Sequence, residues 1–423
     1  MIIRNRKGVN LDYIKIYKML KNLEYLVQWG EVECKENIPY KKYGMGKDTI
    51  NIIGEEALVQ YSKVARYLLR SDHSILETVT LEDIEDEIIL LLRKAKKEEL
   101  SIEMIKGIFS KLRKQPIKEY EIFYPLYGVV YCKEEPIQLG PFTIYNFEIH
   151  REFLSKKYPK SDFAFKLKYD EVKLKDNQVL LISVVVSARN HKSANEKGRV
   201  KLREFEDAIR FMVANFRKHY DVGVFNYNSY RWTDGIIVSS DEVSTSAQRT
   251  GAMSQIFLNQ HQVVKLMSQN GNDRIWSLLA KSNLNDMEQR IISAIKWAGK
   301  ALRDEEPARA FIQYMFAFEA LLQFQQRGQL VSPSITYQIS EFVAFIVNES
   351  LEDRITTEKM IKDLYGKRSA IVHGGSTEVS EDDLLQAFSL LKNIIVILLV
   401  HEEFKNIKSI QQLNEWVKKQ KYS

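Results

Sequence analysis

Apolar residues recur every three to four positions through much of the first 118 residues. In residues 11–29, Ile14, Tyr17, Leu20 and Leu23 fall on one face. Residues 55–69, 81–92 and 101–112 repeat that spacing, and Pro116 closes the block. The pattern predicts a helical N-terminal domain over 1–118. The acidic run 81–87 reads as a helix start with favourable first-turn charges. After Tyr120 the pattern changes. Aromatic and β-branched residues concentrate in 124–132, 136–149, 163–172 and 179–188, which read as strands. A helix over 199–216 interrupts them, and 222–227 and 235–238 return to strand character. Residues 119–240 are therefore expected to form a mixed, β-rich domain. The polar stretch 239–250 reads as a linker. Beyond it the strand signal disappears, and 251–284 reads as a helical connector.

Helical spacing is strongest in 285–405. Met287, Ile291, Ile295 and Ala298 line a helix over 286–302, and Phe311, Met315, Phe318 and Leu322 line one over 307–325. Ser332 followed by Pro333 reads as a cap and first helical position, with Ile335, Ile339, Phe342 and Ile346 behind it. Thr356 or Thr357 caps a helix running through Met360 and Leu364 to His373, and Gly374 and Gly375 end it. Ser380 and Asp383 resemble a capping box for a last long helix through Leu384, Phe388, Leu391, Ile395 and Leu398. Five helices with short to moderate loops predict an all-α bundle. The fold class expected for the whole is α+β multidomain, with a basic tail over 406–423.

Composition adds bounds. A chain of 423 residues suggests two or three domains, and a 45 % hydrophobic fraction suits buried cores. The 62 basic and 56 acidic residues leave a net charge of +6, which permits a nucleic acid partner without demanding one. Cys34 and Cys132 lie far apart and form no metal-spaced pair, so a reducing cytosol is the simplest home. The first residues lack an apolar leader. The longest apolar run, 394–400, is far short of the ~20 residues of a membrane span. A cytoplasmic protein with no membrane partner is expected.

The chemistry-bearing segment is LYGKRSAIVHGG, residues 364–375. Tyr365, Ser369 and His373 follow one another at i, i+4 and i+8 and share a helical stripe. Arg368 lies about 140° from His373 on an ideal helix, and its long side chain reaches toward the same helix end. RNA is cleaved without a metal when its 2′-hydroxyl attacks the neighbouring phosphate. That step needs a base, an acid and a cation for the developing charge. Histidine titrates near neutral pH and serves as base or acid, and arginine grips phosphate in a fork. One histidine does not flank both oxygens, so the motif suggests a composite cleft between two protomers. The bland alternative is a helix-terminal histidine satisfied by the last carbonyls. Arg66 and His73 meet a loose arginine–histidine pattern without such a context.

The segment resembles the signature of the Apea-like HEPN family of the HEPN ribonuclease superfamily, in which a tyrosine, an Arg-Ser pair and a His-Gly pair close a helix. IISAIKWAGKAL and the helix holding FAFEALL resemble the same family, and the likeness spans about 120 residues. It implies a dimerising helical bundle that often cleaves RNA, with tRNA one substrate and no metal or cofactor. Arg368 and His373 match the catalytic pair, Ser369 the polar residue after the arginine, and Glu319 the acidic position of FAFEALL. Glu319 then pairs with Arg368 and orients it, or faces water at a helix edge. Tyr365 packs or stacks on a base. His401, beside Glu402, reads as a surface residue. The resemblance implies an RNA-cleaving effector in prokaryotic antiviral defence, with a phage-derived or protein trigger sensed by the N-terminal half. The alternatives are a non-catalytic HEPN module for dimerisation or RNA and protein binding, and a metal-dependent nuclease on Asp170, Glu171 and Lys173. Gly44, Gly46 and Lys47 faintly suggest a phosphate loop but lack the full pattern.

Overall fold

A computed structural model describes residues 12–32, 38–76, 78–131, 134–159, 165, 179–214, 222–225, 231–238, 243–250, 256–258, 260–324, 334–374 and 378–422. The fold is mixed α+β, with a β-rich middle region and a helical C-terminal region. Two compact units divide the chain. Unit 1 comprises Met1–Ile122 and Val185–Arg199, and unit 2 comprises Phe123–Val184 and Val200–Ser423. The sequence boundary at 118/119 falls four residues before the first division, and no division falls between the β-rich segment and the bundle.

In unit 1 the expected helices are present: α1 Tyr13–Leu26, α2 Glu55–Ser71, α4 Leu81–Ala95 and α5 Ile102–Lys114, with a short α3 His73–Leu76. Asp12 caps α1 by accepting from Lys15 N. Thr80 and Asp83 form a capping box on α4, whose first turn is acidic and last turn basic, as the macrodipole favours. Ile84, Ile88 and Leu92 bury the stripe behind it among Leu20, Tyr61 and Phe109. Helical spacing missed a three-stranded sheet of order β1-β3-β2: β1 Val27–Trp29, β2 Tyr40–Tyr43 and β3 Ile50–Ile53. Trp29, expected at a helix end, pairs with Ile50 instead. The central strand INII is too short to display a period, which is why pattern reading passed over it. Asp83 also accepts from Asn190 Nδ2 at 3.0 Å and Ser193 Oγ at 2.8 Å, fastening a segment over 100 residues distant.

The β-rich middle region contains a sheet of order β4-β8-β7-β6, built from β4 Lys118–Leu126, β6 Ile137–Leu139, β7 Phe142–Asn146 and β8 Leu180–Ala188. Within β8, Leu180 through Val184 are all buried, so both of its faces are covered. The strand expected over 136–149 ends early: Asn146 caps helix α6, Phe147–Lys157. Most of the 163–172 strand lies outside the described residues, as do Cys34 and Cys132. The helix expected at 199–216 is longer, α7 His191–Val213. The expected 239–250 linker is overturned: β9 Arg231–Val238 pairs antiparallel with β10 Val243–Thr250. A two-stranded ladder satisfies its backbone without needing an apolar face, so polarity was a poor guide there. The connector likewise holds a strand, β11 Ile256–Leu258, parallel to β5 Val129–Tyr131. Helices α8 Gln260–Ser268 and α9 Asn272–Ala280 follow.

The bundle is α10 Asp286–Ala301, α11 Pro307–Leu322, α12 Ile335–Val347, α13 Leu351–Val372 and α14 Glu381–Val400. Helix α10 packs along α11 and α12 along α13, while α14 lies against α11 and α12. Ser380 and Asp383 form the expected capping box. Two caps differ. Ser334 caps α12, and the expected Ser332–Pro333 lies outside the described residues. Ser350 caps α13, so Thr356 bonds back to Glu352 O within the helix and Thr357 is buried. The basic tail is α15 Ile410–Tyr422, seated by buried Ile410, Leu413 and Val417 and by a Lys421–Glu341 ion pair. Helix α14 is long and apolar enough to cross a membrane by length and composition, but half of that stretch is buried within the fold.

Helix α7 joins the bundle through α10. Glu204 pairs with Lys296 at 2.7 Å. One turn further on, a Cβ added at Gly299 would lie 2.5 Å from the Asp207 Cα and 2.7 Å from its carbonyl carbon. Phe205 stacks on Trp276, and Phe142 meets both rings edge-on. Lys392 of α14 donates to the Met212 and Ala214 carbonyls, capping the end of α7. Gly299→Ala should destabilise the protein by about 1–3 kcal/mol, because the obstacle is backbone and does not rotate away. Gly366→Ala, in α13 with open space at its Cβ, should be neutral or stabilise by up to about 1 kcal/mol. Urea denaturation of the two variants measures both; equal midpoints would mean that α7 and α10 separate at no cost.

Candidate functional site

Helix α13 carries the arginine–histidine segment. Its last helical residue is Val372, and His373 is the C-cap, its N–H donating to Ser369 O at 3.0 Å. Gly374 follows at φ +77°, a left-handed conformation that glycine reaches without strain. His373 and Ser369 are exposed. Gly375 lies outside the described residues.

Arg368 projects toward α11. Its Nη2 lies 3.3 Å from Glu319 Oε1, so the pairing of these side chains from separate helices is present. Both are largely withdrawn from water, with side chains 28 % and 17 % exposed. Burial raises the Glu319 pKa above the usual carboxylate range, and the Arg368 charge opposes this only in part. The Arg368 Nε is buried with no hydrogen-bond partner among the described residues. Tyr365, one turn before Arg368, is buried, and its hydroxyl also has no hydrogen-bond partner among the described residues. Burial first, then the nearby Glu319 charge, pushes that phenol pKa up. Tyr365 therefore packs beneath the ion pair and offers no open face for stacking a base. Glu319, Tyr365 and Arg368 form one partly buried cluster, while Ser369 and His373 stand at the exposed helix end.

Sequence reasoning missed what holds α13 against α14. Lys367 pairs with Asp383, the residue that also closes the Ser380 capping box. Burial works against the charged Asp383, but the Lys367 and Ser380 bonds outweigh it and hold the carboxyl below its ordinary range. The signal was present as a lysine next to the arginine and a box acid one short loop away. A second charged constellation was also missed. Arg203, Glu206, Asp207 and Arg210 sit at i, i+3, i+4 and i+7 on α7, a helical stripe of charge on a mostly buried helix. Burial pushes Asp207 up to about 7, with Arg210 and Lys300 opposing.

The other candidates carry less. Gly46, Lys47 and Asp48 form a single short turn between β2 and β3, so no helix follows the glycines as a phosphate loop requires. Asp170, Glu171 and Lys173 lie outside the described residues. His401 is the exposed C-cap of α14. His150, not singled out from sequence, is buried: its Nδ1 accepts from Asn146 N and its Nε2 donates to Glu134 O.

No family model matches the chain, and neither does any curated protein or solved structure.

The raised Glu319 pKa has a stability consequence. Its folded-state pKa lies above its ordinary value of 4.5, so its contribution is full below that pH and is lost as pH rises through the folded pKa. Glu319→Gln should flatten this loss, read as thermal midpoints from pH 4 upward. Glu319→Ala should cost about 1–3 kcal/mol, because Arg368 keeps its burial and loses its partner. A Gln variant with the wild-type slope would assign the titration to another group.

Proposed function

We propose that this protein is a metal-independent endoribonuclease of the HEPN type, working through Arg368 and His373. The observation that carries the reading is the Glu319–Arg368 pair across α11 and α13. Pairing with Arg368 was one of two readings of the acid on the FAFEALL helix, and the two residues are separated by 49 positions in sequence. His373 accompanies them at an exposed, glycine-terminated helix end, where a polynucleotide has room to approach.

In this reading Glu319 is a positioning residue, and Arg368 turns its remaining donors to the scissile phosphate. His373 takes the 2′-hydroxyl proton or delivers one to the leaving 5′-oxygen. The second proton carrier is His373 of a second copy of this chain, so the working unit is a homodimer with one composite cleft. Ser369, one turn before His373 on the same stripe, contacts the same backbone. RNA, with tRNA one form of it, is the substrate. The N-terminal half senses a trigger, in keeping with a cytoplasmic antiviral effector.

Incubation with total RNA and tRNA should give 2′,3′-cyclic phosphate and 5′-hydroxyl ends, undiminished in EDTA, with DNA left intact. His373→Ala should cost at least about 10²-fold in rate, and Arg368→Ala should be comparably severe. Mixing His373→Ala with wild-type chains should depress activity below the wild-type fraction. EDTA inhibition reversed by magnesium, or full activity in His373→Ala, would overturn the mechanism. Folded, dimeric protein that binds RNA without cutting it would establish a binding module instead.

A further inference from the structure

A cleft of about 500 Å3 lies between α7 and the turn joining α10 to α11. Its basic residues are Arg203 and Arg210 on α7, and Lys300, Arg303 and Arg309 around the turn. Four acids also line it, Glu206, Asp207, Asp304 and Glu305, and the capacity of the first three is largely spent. Glu206 accepts from Val224 N and Phe225 N at 2.6 and 2.8 Å and lies 3.7 Å from Arg210. Asp304 accepts from Arg309 and Gln313, each at 2.6 Å, and from Glu306 N at 3.1 Å. Asp207 titrates near neutrality and carries only part of its charge there. Arg309 is engaged by Asp304 and Arg210 faces Glu206, so Arg203, Lys300 and Arg303 remain against Asp207 and Glu305. Two lining atoms, Arg303 Nε and Gln313 Oε1, are buried with no hydrogen-bond partner among the described residues.

A structural ion-pair network would consume its own donors and leave no cavity. This one leaves one buried N–H of the half-buried Arg303 without a partner among the described residues, beside an open volume, and an unsatisfied buried donor is costly unless a ligand completes it. The volume is in the range of small-molecule sites and far exceeds one phosphate ion. We propose that this cleft binds a small molecule bearing two or more phosphate groups, held by Arg203, Lys300 and Arg303. A nucleic acid backbone is the less suited occupant, since the cations gather around one concavity and form no extended track.

The site shares α11 with Glu319 but no residue with the Arg368–His373 site, and its test reads binding, not cleavage. Isothermal titration of the full chain with tripolyphosphate, against sulfate at equal ionic strength, should show one saturable site per chain. Tripolyphosphate should bind at least about 10-fold tighter than sulfate. Arg303→Gln, and separately Lys300→Gln at an exposed position, should each weaken it about 10-fold, the cost of one charged hydrogen bond. The unliganded unfolding midpoint should stay unchanged in Lys300→Gln, which carries the test alone if Arg303→Gln fails to fold. Absent or sulfate-equal binding, or undiminished affinity in Lys300→Gln, would overturn the site. So would a 20-nucleotide RNA that binds there when tripolyphosphate does not.

Discussion

The approach of α7 to α10 at Asp207 and Gly299 is the constraint on which unit 2 depends. No side chain fits between the two backbones there. That closeness sets the Glu204–Lys296 pair one turn away and leaves Lys392 within reach of the carbonyls that end α7. It also draws the charged stripe of α7 against the α10–α11 turn, so charges that would otherwise face water are partly desolvated. A sheet segment and a helical bundle that read as separate domains in sequence thereby share one packing unit. A glycine inside a helix ordinarily weakens it, and this one is retained where a backbone occupies the place of its side chain.

The parts of the fold that announced themselves in sequence were those with long periods and strong punctuation. Leu81–Ala95, Asp286–Ala301 and Glu381–Val400 each combine a capping residue with several turns of apolar spacing, and each is a helix close to its expected bounds. What escaped were elements too short to show a period, such as Ile50–Ile53, and those whose sequence is mostly polar, such as Val243–Thr250. The tail over 406–423 read only as a basic stretch because its lysines outnumber its anchors. Three buried residues spaced along one face suffice to dock it.

The candidate site was legible because a helix fixes relations along its own length, and less so where two helices must meet. The capped end at His373 and the stripe through Ser369 follow from spacing alone. The contact between Glu319 and Arg368 was an open alternative until the helices were placed, since an acid on an apolar helix also suits an edge. Tyr365 resolved toward packing, and its burial is part of what keeps water from the ion pair above it. The Lys367–Asp383 pair left only a faint trace in sequence, because a capping residue gives no sign of its own that its second oxygen is engaged by another helix.

Helix α14 has a consequence for how the chain is made. Its apolar surface is covered by α11 and α12, which are synthesised before it, so those helices leave the ribosome with their groove unfilled. Until residues 381–400 follow, the growing chain carries exposed greasy surface on both sides of an unformed interface. Acidic Glu381, Asp382 and Asp383 lead the helix out, and like charge at the head of such a segment discourages self-association during that interval. Premature termination between α13 and α14 would thus yield aggregation-prone fragments rather than a shorter functional bundle.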